Sequence, residues 1–179
     1  LRLFRRIFEI QGDSNRLSDL LRRYDYHTKT VELLAHYARD RNWNVADMEN
    51  ELRKKHLLEL PDYTLTSFDG RSIGLVGHLL ATFALDLSED AQNLMRHFSL
   101  LPPKGASIQP ELLSEEKLAY LLGCDDDAVR VGLHNTLEAL IRLSWLERVD
   151  SGIFIHPVIQ EVAYYELKPS IEQCRTLVQ

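Results

Sequence analysis

Apolar positions along this chain recur mostly every three or four residues, and polar breaks between the runs divide it into helices. Leu3, Phe4, Ile7 and Phe8 fall on one face of a first helix, with charged positions opposite. The polar stretch Gln11-Gly12-Asp13-Ser14-Asn15 interrupts the pattern, after which Leu17, Leu20 and Leu21 mark the buried side of a second helix. A third begins near His27-Thr28 and carries Val31, Leu33, Leu34 and Tyr37. Asn44 reads as the N-cap of a helix over 45–55, with Asp47 in the first turn and Arg53-Lys54-Lys55 at the end that favours cations. Residues 56–72, with Pro61, Asp69-Gly70 and few periodic apolar positions, read as a loop or linker.

The second half has a different rhythm. The pattern predicts a helix over 73–85. Ser88 then caps another helix carrying Ala91, Leu94, Met95 and Phe98, and Pro102-Pro103 stops it. Ser114-Glu115-Glu116-Lys117 opens a helix through Leu118, Leu121 and Leu122, ended by Gly123. Asp125-Asp126-Asp127 caps a long helix with Val129, Leu133, Leu137, Leu140 and Ile141 on one stripe. Residues 145–149 and 152–155 form two short strands around the turn signature Asp150-Ser151-Gly152. The expected fold is mainly α: a small helical bundle followed by a winged helix-turn-helix with one β-hairpin. Residues 1–72 form the bundle and linker, 73–168 the winged helix, and 169–179 the start of a following helical region.

Charge is unevenly spread over the 179 residues. Residues 1–60 hold 12 Lys/Arg against 10 Asp/Glu, and residues 61–179 hold 9 against 17. Cys124 and Cys174 are far apart, with no second ligand near either, and read as reduced thiols of a cytoplasmic protein. The most apolar run, 73–87, contains His78 and Asp86 and is too short for a membrane span. The chain starts with Leu1 inside a helical pattern and without a signal-peptide layout, which suggests an internal piece of a longer protein.

Catalytic motifs are missing. There is no Gly-x-x-x-x-Gly-Lys-Ser/Thr phosphate loop, no Gly-x-Gly-x-x-Gly and no Gly-x-Ser-x-Gly, so the chain alone is not expected to be an enzyme. The three consecutive aspartates lack the glycine and distal glutamate of a calcium loop, and capping explains them better. His27, His78, His97 and His134 read as structural or solvent-facing. His156 is different. It stands between the run Gly152-Ile153-Phe154-Ile155 and Pro157, which opens a helix at the position where its missing N–H is no loss. A helix start favours anions, so His156 is a candidate phosphate contact. The competing reading makes it a helix cap or a half-buried packing residue.

The order of these elements resembles the C-terminal half of the nucleotide-binding module of NB-ARC and related STAND-class signalling ATPases. Residues 78–91, starting His78-Leu79-Leu80, are similar to the family's approach to its winged helix, and Phe98-Ser99-Leu100-Leu101-Pro102 to the apolar run ending in proline. Ile155-His156-Pro157 stands where that family has a Met-His-Asp motif, with Pro157 in place of the aspartate. The segment around Tyr26-His27-Thr28-Lys29 stands where it has a Gly-Leu-Pro-Leu-Ala type sequence, with Thr28 in place of the proline. The resemblance implies ADP or ATP as ligand, with magnesium in the parent protein and His156 and Thr28 as nucleotide-facing residues. It also implies a preceding nucleotide-binding domain holding the phosphate loop, a sensor or repeat domain following, and room for an oligomer on activation.

Two alternatives stand beside it. A winged helix suggests a DNA-binding transcription regulator, with Arg130, Asn135 and Arg142 on the candidate recognition helix. However, residues 83–168 hold 7 basic and 14 acidic side chains, a poor field for phosphate, so nucleic acid is not an expected partner. The other alternative is an acidic protein-interaction module that docks a basic partner.

Overall fold

The computed structural model describes residues 1–58, 65–66, 72–73, 75–170 and 175. The chain is mainly helical, and it divides into two compact units, 1–82 and 83–179.

The first unit is built by capped helices whose apolar faces meet. Its helices are α1 (Arg2–Ile7), α2 (Ser14–Arg22), α3 (Thr28–Asp40) and α4 (Val45–Lys54). Helix α1 packs on α3 and α2 on α4. Of the expected stripes, Phe4, Leu17, Leu21, Leu33 and Leu34 are buried, whereas Leu3, Ile7 and Phe8 are half-buried and Phe8 lies past the end of α1; Met48 and Leu52 of α4 are buried too. Asn44 accepts from the Asp47 N–H, and the Asp47 carboxylate accepts from the Asn44 N–H, both at 3.0 Å. This reciprocal pair satisfies two of the donors a helix start leaves open. The Val45 N–H bonds the Gln11 carbonyl at 3.1 Å, tying the start of α4 to the break before α2. Tyr24 is buried and donates its hydroxyl to the Leu57 carbonyl at 3.2 Å, and burial pushes its pKa up. Arg41 lies 5.1 Å from the ring centres of both Tyr37 and Trp43, a cation–π arrangement.

Part of 56–72 departs from the loop expected there. Leu65–Thr66 (β1) and Ser72–Ile73 (β2) pair antiparallel, Leu65 opposite Ile73, so Ile73 is a strand residue and α5 runs Leu75–Leu85. Two-residue strands carry too little periodicity to read from sequence. The remaining residues of that stretch from 59 onward lie outside the described ones, as do Cys174 and most of the helical region expected at 169–179. Helix α5 is apolar on nearly every side, and Leu79, Leu80, Phe83 and Ala84 are buried.

The second unit follows the winged-helix order: α6 (Glu89–Phe98), α7 (Glu115–Leu121), α8 (Asp127–Arg142), β3 (Leu146–Val149), β4 (Gly152–Ile155) and α9 (Pro157–Leu167). Ser88 caps α6 through the Ala91 N–H, Ser114 caps α7 through the Lys117 N–H, and Asp126 caps α8 through the Ala128 and Val129 N–H groups. The aspartate run is thus a cap. Gly123 sits at φ +66, the left-handed turn between α7 and α8. Strands β3 and β4 pair from Leu146↔Ile155 to Val149↔Gly152, which leaves Asp150-Ser151 as the turn, with Asp150 at φ +53.

Gly152 therefore belongs to β4 rather than the turn. A Cβ there would come within 2.5 Å of the Pro110 carbonyl oxygen, so close backbone approach requires the glycine. The Lys104 N–H bonds the Ile155 carbonyl at 2.8 Å, extending the hairpin's edge with the segment after Pro102-Pro103. Helix α9 is fastened to α6 by Gln160 Nε2, donating to the Ser99 and Leu101 carbonyls at 3.2 and 2.7 Å. Arg96 Nε, donating to the Leu167 carbonyl at 2.8 Å, fastens the other end. Trp145, Leu146, Ile153, Ile155, Ile159 and Val162 are buried within this unit.

The α8 stripe is only half used. Leu137 and Leu140 are buried, whereas Val129 is 52% exposed. Helix periodicity marks an apolar face but not how far along its length a neighbour covers it.

Candidate functional site at the start of α9

β4 is buried along all four residues, so its pleat holds the chain rigidly up to Ile155. Pro157, at the first position of α9, fixes the next φ, and His156 between them is half-buried with extended backbone angles of φ −70 and ψ 138. Its Nδ1 accepts from the Val158 N–H at 3.3 Å. The helix cap of the competing reading is therefore present, and it engages Nδ1. With Nδ1 accepting, a neutral imidazole carries its proton on Nε2. Two helix N–H groups are removed from the anion site expected there, because Pro157 has none and Val158 uses its own on His156. Any anion at this junction would be met by the imidazole more than by the helix amides.

Thr28 belongs to the first unit, where it is exposed at the first position of α3. The N-cap is His27, whose Nδ1 lies 3.4 Å from Thr30 Oγ1; partial burial lowers its pKa. The next two residues, Lys29 and Thr30, are buried, and Lys29 Nζ pairs with Glu32 at 3.2 Å. Sequence reasoning missed these two, because a lysine in a first helical turn reads as solvated. Thr28 and His156 fall in different units, and each is placed by its own helix start.

Of the groups expected to read DNA, Arg130 is engaged within the fold. Arg130 Nε donates to the Cys124 carbonyl at 2.8 Å, bracing the turn before α8, and Arg148 bonds Glu138. Lys104 pairs with Glu147 across the hairpin. Cys124 is a buried free thiol whose pKa burial raises, the state expected of a packing cysteine. Sequence reasoning also passed over a cluster joining α7 to α8. Glu115 Oε1 lies 2.8 Å from His134 Nδ1, with Glu138 one turn further along α8. The His134/Glu138 spacing of four was its only visible signal.

No helix among the described residues is long and apolar enough to cross a membrane. No protein-family model, curated protein or solved structure matches this chain.

Proposed function

We propose that this chain is the regulatory part of a cytoplasmic ATP/ADP-binding signalling protein of the NB-ARC/STAND kind. In this reading the winged helix closes over ADP held by a preceding domain, and His156 Nε2 donates to a phosphate oxygen. The observation that carries it is the engagement of Nδ1 by the Val158 N–H at 3.3 Å, which leaves Nε2 as the proton-bearing nitrogen of a neutral ring at this half-buried strand-to-helix junction. A hydrogen bond to a charged acceptor contributes about 1.5–3 kcal/mol, a bias of roughly ten- to hundredfold between closed and open states. Exchange of ADP for ATP would remove that differential contact and shift the population to the open state. The chain itself performs no catalysis. Magnesium and any hydrolysis belong to the preceding domain, and the sensor follows α9. Thr28 contributes at most a secondary contact, since it stands where the family's proline would pack.

The test is release of a fluorescent ADP analogue from the whole protein. His156→Ala should speed release at least about tenfold and raise signalling output without added stimulus. Release at the wild-type rate would remove His156 from the nucleotide site.

A second reading has its own support. The exposed apolar side chains Val129 and Val131, and Tyr120 at 78% exposure, sit on an acidic module and suit a basic, apolar-faced protein partner. A DNA-binding regulator is favoured less, because Arg130 and Arg148 are held within the fold and aspartates occupy the helix end that would enter a groove.

A further inference from the structure

Apart from the nucleotide reading, the facing turns of α7 and α8 carry a second chemistry. We infer that Glu115, His134 and Glu138 form a binding site for a divalent transition-metal ion of the zinc class. Their ligand atoms, one imidazole nitrogen and two carboxylate oxygens, all lie within 4.8 Å of one another. A tetrahedral zinc ion needs its donors about 3.4 Å apart, within reach of small side-chain rotations. His134 and Glu138 are four residues apart on one face of α8, a long, well-capped helix, so two donors are positioned before any ion arrives. Glu115 is the first residue of α7, fixed by the Ser114 cap, and already reaches His134 at 2.8 Å. The mixed nitrogen and oxygen set favours zinc, nickel or copper over magnesium and calcium, which take oxygen alone. His134 and Glu138 are exposed and Glu115 is half-buried, which leaves the remaining coordination positions to water.

Arg148 on β3 strengthens the inference. Its guanidinium bonds Glu138 and lies 4.0 Å from Glu115, so the protein itself places a cation between the two carboxylates. A metal ion and Arg148 therefore compete for the same charge. Binding would replace the Nδ1 proton of His134 with the metal, pin α7 to α8, and release Arg148 from the wing.

The experiment is a calorimetric titration of the whole chain with zinc chloride in a non-coordinating buffer, alongside thermal melting. One equivalent of zinc should bind and raise the melting temperature, EDTA should reverse the effect, and magnesium should do nothing. His134→Ala and Glu138→Gln should each weaken zinc at least about tenfold. Arg148→Gln should tighten it, since the competing cation is gone, and Arg148→Lys should fall between the two. The inference is overturned if His134→Ala binds zinc as the wild type does, or if Arg148→Gln leaves the affinity unchanged or weaker. Circular dichroism of each variant identifies any loss caused by unfolding, in which case Arg148→Lys and Glu138→Gln carry the decision.

Discussion

Single side chains set the starts of most helices here, and their contributions can be measured one at a time. Asn44→Ala removes one half of a reciprocal cap and should lower stability by about 1 kcal/mol in denaturant unfolding, whereas Asn44→Ser should be nearly neutral. His27 makes a pH-dependent contribution. Burial holds its pKa below the ordinary 6.5, so the unfolded chain binds a proton first. Stability should therefore fall as pH drops below 6.5, until the folded pKa is passed, and His27→Gln should flatten that part of the profile in unfolding series at stepped pH. Gly152→Ala should destabilise the second unit by about 1–3 kcal/mol, because its methyl group meets the Pro110 carbonyl, a backbone atom that cannot swing aside. Caps were legible in the sequence, since donor and acceptor lie within four residues of one another. The reason for Gly152 was not, because the atom that demands it lies forty-two positions away along the chain.

At the scale of elements, α8 shows what periodicity conveys and what it omits. Its apolar stripe reads as continuous, yet only its C-terminal half is covered within the unit. Leu137→Ala should reduce stability by about 2–5 kcal/mol, as for other large-to-small changes in a closed core. Val129→Ser should change it by no more than about 0.5 kcal/mol, since its side chain is largely in water already. A thermal melt of the two variants separates these outcomes, and equal losses would contradict the half-used stripe. The hairpin was legible from its turn and β-rich run, although its turn comprises Asp150 and Ser151 alone. The β1–β2 ladder was not, because two-residue strands depend on their partner rather than on any local pattern. The cluster on α7 and α8 escaped for the same reason: Glu115 and His134 are nineteen residues apart and meet only when the helices fold against one another.

For the whole molecule, fold and charge point in different directions, and the functional reading follows the charge. The helical units and the winged-helix order were legible in the sequence, because amphipathic periods and caps agree with each other. His156 was legible as a junction residue, but the state of its ring was not. Which nitrogen holds the proton depends on a backbone N–H two residues on, and that bond puts the donor on Nε2. If phosphate recognition belongs to this imidazole, the capping and nucleotide-binding roles of the residue can be separated by one substitution. Aspartate is a good N-cap but repels phosphate, so His156→Asp keeps α9 started while removing the contact. The deciding measurement is calorimetric ADP affinity of the whole protein, wild type against His156→Asp. The account predicts an ADP dissociation constant raised at least about tenfold with the melting of the winged helix unchanged; equal affinity in the two proteins would contradict it.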